Sequence, residues 1–520
     1  MPRRPELLVL AMDIGSSSTR SALFDETGRM LPKTDASREY AVAYTAEGGA
    51  ELSPALLHRA AAGCLRKTLQ ARRASPSLRK IPIAGFGASA FWHSLLGLDR
   101  KGRPITPVYT WADSRCTRDA ALLRQEFDER KIHARTGCML RASFWPAKLR
   151  WLRRTQTRLF KRVARWTSPA EWIFEELFGA DGCSHSMASA TGLYDFRKQQ
   201  WDAAICAACG IEIGQLGDLT EATTLTRSAF PELRKANFFT AIGDGAAGNL
   251  GCGADVAGKI AINIGTSAAV RMMSKRGKRR EDTPLGLFRY AMDRERTVIG
   301  GAVSNAGNLR RWCLRELRIS GDASATEKAL SRRAPAADEI TILPFWVNER
   351  APTWPENLRG AIIGLGQASS ASQIFRATTC AVFYRLGAIL DLIESAAGPA
   401  NDIIVSGGIL HSPASLQLLA DAIGHDIRIS SEPEASLRGA AVYALEQMGH
   451  KPTPLRRGNI VRHHPRLTAR HSLLRERQTA LEKILGMVSA LENELDPNEH
   501  ACGAWCHPEP HRRRETSQSK

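Results

Sequence analysis

Apolar runs and polar punctuation alternate along this chain at the spacing of strands and helices. Leu7 to Met12 is an unbroken apolar run, the pattern of a buried strand, and Ser21 to Asp25 reads as a second strand closed by the turn Glu26-Thr27-Gly28. Ser53-Pro54 opens a helix with apolar positions through Leu69, since serine caps free amides and proline suits a first helical turn. Ile81 to Ser89, Leu95 to Leu98 and Pro107 to Trp111 are further strands, and Pro146 and Ser168-Pro169 begin two more helices. In the second half Lys259 to Ile264 and Asp402 to Val405 read as strands, with a long helix from Ala371 to Ile393. The alternation predicts an α/β fold. Arg470 to Leu495 carries Leu474, Leu481, Val488 and Leu495 on one helical stripe, which suits a packed terminal helix or a homodimer seam.

The first strand runs into Asp13, Gly15, Ser16, Ser17, Ser18, Thr19 and Arg20. A glycine permits a tight turn, serine amides and hydroxyls donate to anionic oxygens, and Arg20 adds charge-assisted bonds, so this reads as a phosphate loop. Asp13, at the strand end, suits a hydrated magnesium ion. The alternative is an ordinary hairpin turn. No lysine-bearing P-loop follows, because the next segment is a strand rather than a helix. Lys259 to Arg271, KIAINIGTSAAVR, repeats the plan of strand, glycine and hydroxyls about half a chain later, with Gly265 and Thr266 at the turn. The strand ending at Val405 leads into Ser406-Gly407-Gly408, where small residues let a purine ring approach the backbone.

The 520 residues allow two large domains and a tail. The glycine-rich stretch between Pro231 and Gly253 marks the crossing, giving domains 1–241 and 242–495, with a polar segment 496–520 expected to be a disordered basic tail. No run of eighteen apolar residues occurs and no secretory segment opens the chain, so a cytoplasmic protein without membrane contact is expected. Eleven cysteines, an odd number scattered through apolar contexts such as Cys64, Cys116, Cys252 and Cys380, read as buried thiols. Cys206 with Cys209, and Cys502 with Cys506 and His507, are the candidate metal ligands among them. The net charge of +19 suits anionic small molecules; its densest run, Lys275 to Arg280, has no interleaved aromatics, which argues against specific nucleic-acid binding.

Asp244 lies in Ile242-Gly243-Asp244-Gly245-Ala246, at the crossing where a cleft would open; a glycine-flanked aspartate is by itself a turn residue, and the two phosphate loops make it the candidate general base for phosphoryl transfer. The pieces DIGSSSTR, WHSLLGLD, TWADSR, WPAKLRWL, SATGLYD, GDGAAGNLG, INIGTSAAVR, GGAVSN, ERAPTW, RGAIIGL and SGG occur in one order over residues 6–495. In that order they resemble the FGGY carbohydrate kinases, within the sugar kinase, actin and heat-shock ATPase superfamily. The resemblance implies two actin-like (ribonuclease H-like) domains with an interdomain cleft, ATP with Mg2+ as donor, a sugar or polyol hydroxyl as acceptor, and Asp244 as base. It places Asp13 to Arg20 at the first phosphate element, Gly265 and Thr266 at the second, and Gly407 and Gly408 at adenosine. His93 would then donate to a sugar hydroxyl or serve as a structural histidine. Trp111 can stack on a sugar or fill core; Arg115 can bind a carboxylate or pair with Asp113, its neighbour in the W-x-D-x-R strand end. WHSLLGLD, TWADSR and FWPAKLRWLR look most like the gluconate kinase branch. The alternatives are a kinase of a neutral ketose or polyol such as xylulose, and an actin-like nucleotide-binding protein without sugar turnover.

Overall fold

Leu8–Ile14 (β1) is buried along its whole length, as an unbroken apolar run requires of a strand covered on both faces. The computed structural model, which describes residues 5–277, 283–319, 322–331, 339–356 and 358–495, pairs β1 antiparallel with Ser18–Asp25 (β2), and Ala36–Glu39 (β3) extends the hairpin. The helix Pro54–Ala74 (α1) packs on β2 and β3. Its cap, Ser53, accepts from the Leu56 amide at 3.4 Å. Ile83–Ala90 (β4) then lies parallel to β1, with Asn237–Phe239 (β5) and Ile242–Gly243 (β6) parallel to β4. The path across the sheet is β5-β4-β1-β2-β3.

The same plan recurs. Lys259–Ile264 (β7) and Ala268–Lys275 (β8) form a hairpin, and Arg296–Val303 (β9) extends it. The 27-residue helix Ala371–Ala397 (α3) packs on β8 and β9, while Asp244–Cys252 (α2) touches β6, β7 and β8. Asp402–Ser406 (β10) lies parallel to β7, with Ile427–Ile429 (β11) beyond it. Read from the opposite edge, the order β9-β8-β7-β10-β11 repeats these five strands of the first sheet, while Phe288–Ala291, paired outside β9, has no counterpart there. This is the actin-like, ribonuclease H-like duplication that the repeated hairpins predict.

The two halves interlock more deeply than a cut between 241 and 242 implies. β6 still belongs to the first sheet, and Ala435–Gln447 (α4), from the far end of the second half, packs on β4 and β1 and lies in the first hydrophobic core. α2 and α4 touch backbone to backbone: a Cβ on Gly439 would lie 1.8 Å from the Ala247 carbonyl oxygen. Only glycine permits that approach.

Pro465–Leu495 (α5) docks its first part on α3 through buried Gln478 and the 2.9 Å ion pair of Glu482 with Arg385. Further along, Ile484, Met487 and Val488 are exposed, so the stripe covers the body over part of its length. The side chains of Leu491 and Leu495, the segment 496–520 with Cys502, Cys506 and His507, and 278–280 of the basic run lie outside the described residues. The nine described cysteines are buried and in no disulfide, Cys206 and Cys209 included. Among the described residues no cluster of three His, Cys, Asp or Glu could hold a metal, and no helix is long and apolar enough to cross a membrane.

Candidate active site

The sheet register brings the first half's candidate residues to one place. Asp13 lies opposite Ser89 and Ile14 opposite Ala90, while Ile242 and Gly243 lie opposite the same Ser89 and Ala90. The carboxyl ends of β1, β4 and β6 are therefore level, and Asp244 and the Trp92-His93 pair emerge just beyond them. That is where parallel sheets open a ligand crevice.

Asp13 is buried; its Oδ1 accepts from the Ser89 hydroxyl at 2.6 Å and its Oδ2 from Arg20 at 2.8 Å. Asp244, the first residue of α2, is half-buried and accepts its neighbouring Gly245 amide at 2.7 Å. Burial pushes the Asp244 carboxyl up to about 6, with Asp13 adding to the rise and Arg271, the Gly245 amide and Arg350 opposing it. A carboxylate so tuned is ionised at neutral pH yet basic enough to take a proton.

Each hairpin turn is braced from outside. In the first, the Gly15 amide donates to the Ser18 carbonyl at 2.9 Å and the Tyr40 hydroxyl to the Gly15 carbonyl at 2.6 Å, leaving Ser17 exposed at the tip. Arg20 does not point to that tip. The antiparallel register sets it opposite Asp13, and its guanidinium bridges Asp13 and Glu434, so its charge is already matched by two carboxylates. In the second hairpin the Gly265 amide donates to the Ser267 carbonyl at 2.9 Å, and the Gly307 and Asn308 amides donate to the carbonyls of Gly265 and Thr266. Arg311 donates to the Thr266 hydroxyl at 3.2 Å. Gly407 has φ 92°, and a Cβ there would lie 2.5 Å from the Ile264 carbonyl oxygen. Beside the second turn is a cavity of about 350 Å³, walled by Val382, Phe383 and Ile409 and edged by Thr266, Arg311 and Gly408. Apolar walls with amides and an arginine at the edge suit a purine ring and its phosphates.

On the other side of the cleft the four expected acceptor residues part company. His93, at φ 65°, has its Nδ1 2.7 Å from the Ala190 carbonyl, which fixes the proton on Nδ1. Burial lowers its pKa to about 3. The ring is thus neutral, and its Nε2 accepts rather than donates. Trp111 is half-buried and carries the Arg350 guanidinium 4.4 Å above its ring, so one face already stacks on a cation. Asp113 and Arg115 are directed into the protein. Buried Asp113 accepts the Ala50 amide at 3.2 Å and the Arg115 Nε at 3.1 Å, and Arg115 also donates to Glu51 at 2.6 Å beneath Trp151. Burial alone would lower the Arg115 pKa, but the bonds to Asp113 and Glu51 raise it. That pairing is structural. Arg271 on β8 and Arg350 in ERAPTW also face the cleft, and sequence reasoning missed both; the one available signal for Arg271 was a lone cation inside the apolar run Ala268 to Met273.

Two duplicated α/β halves, two hydroxyl-bearing hairpins and a tuned carboxylate between them define the actin-like class of phosphotransferase. The chain belongs to the FGGY family of carbohydrate kinases: it matches that family's N-terminal domain over residues 8–251 and its C-terminal domain over 260–448. It is a carbohydrate kinase. The chain is 29% identical over 460 residues to the gluconokinase of Bacillus subtilis (strain 168), spanning 85% of this chain and 88% of that one. The gluconate kinase of Lactobacillus acidophilus superposes with a TM-score of 0.82 at 21% identity, covering 92% and 98% of the two chains. The xylulose kinase of the same organism superposes equally, at 0.83, 22% identity and the same coverage, so the fold does not separate the acceptors.

Proposed function

We propose that this kinase transfers the γ-phosphoryl group of ATP to a hydroxyl of a linear sugar acid, with gluconate as the favoured acceptor. The observation that carries the transfer is Asp244, a cleft carboxylate raised to about 6 and set beside Asp13 at the level ends of β1, β4 and β6. The likeness to the Bacillus subtilis gluconokinase supports the acceptor.

In this reading Asp244 takes the proton of the attacking hydroxyl, its oxygen bonds to the γ-phosphorus, and the bond to the bridging oxygen breaks to release ADP. The turns Gly15 to Ser18 and Gly265-Thr266 hold phosphates with amides and hydroxyls, and Gly407-Gly408 lets the purine lie against backbone. His93 accepts a hydroxyl of the acceptor. Asp13 keeps lone pairs beyond its two hydrogen bonds, which fits a magnesium ion held through water; bound there, the ion would neutralise phosphate charge.

ATP consumption across gluconate, other aldonates, xylulose, ribulose, glycerol and erythritol tests the proposal. Turnover concentrated on gluconate is expected. Preference for a neutral sugar would overturn the acceptor and leave the family and Asp244 standing.

A further inference from the structure

Two arginines remain in the cleft once the phosphate turns, the base and His93 have been placed. The guanidinium of Arg271 makes no hydrogen bond or ion pair among the described residues, and its Nε is buried without a partner. It lies against the start of α2, where a Cβ on Gly245 would come within 2.7 Å of that Nε. Arg350 is held by uncharged groups: its Nε donates to the Ser304 hydroxyl at 3.1 Å, its Nη2 to the Val303 carbonyl at 3.3 Å, and its plane rests on Trp111. Its neighbour Glu349 accepts the Ser304 and Arg350 amides and the Asn305 side chain.

The anchors fix where these cations sit without an ion-pair contact, Glu349 acting on Arg350 only through its field. Burial lowers the pKa of both, Asp244 opposing it at Arg271 and Glu349 at Arg350, where the charge on Arg271 adds to the lowering. Asp244 faces both, yet makes an ion pair with neither and must stay free to take a proton. Desolvated guanidinium groups with no carboxylate in direct contact are unfavourable, and a fold that keeps them suits a ligand that brings one.

We propose that Arg271 and Arg350 together receive the carboxylate of the sugar acid, and that this pair is what separates acidic from neutral acceptors. The inference rests on the acceptor reading above. Arg271 contributes an open guanidinium edge and Arg350 a plane held flat on Trp111, the geometry that matches a carboxylate. Arg115, the cation that the sequence offered for this task, is occupied by Asp113 and Glu51.

The test compares gluconate with the neutral alditol of the same carbon skeleton, glucitol, in the full chain and in Arg271→Gln, Arg271→Lys and Arg350→Gln. Arg271→Gln is expected to raise the KM for gluconate roughly 30-fold, leave the KM for ATP unchanged and leave the KM for glucitol within about threefold of the parent, any fall in kcat through Asp244 being shared by both acceptors. Arg271→Lys should recover part of the loss, because it restores the charge without the planar fork. Thermal melting with ADP reports folding, and Arg271→Gln should melt no lower than the parent because it removes an unpaired buried charge. A parent that prefers gluconate beside an Arg271→Gln variant with unchanged gluconate KM would overturn this inference alone. Equal losses on both acceptors with a raised KM for ATP would also overturn it, by placing Arg271 on the phosphoryl group. A parent that turns over only neutral sugars overturns the acceptor reading and this inference with it.

Discussion

The indole of Trp92 lies against Gly243 so closely that a Cβ there would sit 1.8 Å from Trp92 Cε2. The ring is pinned by its Nε1, which donates to the Ser186 carbonyl at 3.2 Å, and Ser186 in turn accepts the Gly243 amide at 3.0 Å. Trp92 thereby sets the position of the residue that follows Gly243. Gly243→Ala should destabilise the fold by about 3 kcal/mol, read by denaturant unfolding. It should also lower kcat by roughly 10²-fold by displacing Asp244. Unchanged kcat would show that the ring has room to give way.

Asp244→Asn keeps the phosphate turns and the cavity intact while removing the proton acceptor. Its kcat should fall about 10²–10⁴-fold with little change in ADP affinity by calorimetry. Turnover near the parent level would remove Asp244 from the mechanism.

The pH profile follows from the same carboxylate. Burial holds its pKa at about 6, above the ordinary value, so at lower pH it is protonated and cannot act as base. kcat/KM should therefore rise with pH up to about 6 and stay level above it. His93, at about 3, is neutral across this window and cannot supply that limb. His93→Ala should leave the limb in place while raising the acceptor KM roughly tenfold through loss of one hydrogen bond. A limb that vanishes in this variant would assign the titration to the histidine.

Arg115→Ala leaves the buried carboxylate of Asp113 without its cation. Breaking such a pair costs about 3 kcal/mol, so a lower urea midpoint is expected. The KM for gluconate should stay near the parent value in the folded protein. A selective rise in that KM would return Arg115 to the acceptor site.

The duplicated hairpins, the α/β alternation and the Asp244 segment were legible in sequence because each is local: a strand and its turn are neighbours along the chain, and their residue types report directly on burial and backbone. Whether a charged side chain is free for a ligand is not local. Arg20 looked like a phosphate ligand until the fold brought it Glu434 from 414 residues away, and Arg115 looked like a carboxylate receptor until Glu51 arrived from 64 residues away. His93 was marked by its motif, but the carbonyl of Ala190 decided that it accepts rather than donates. Sequence alone thus determined the family architecture and the candidate base. Only the tertiary structure decided which of these arginines are paired with carboxylates and which, Arg271 and Arg350, make no ion pair among the described residues, since charge pairing depends on distances that the linear order does not contain.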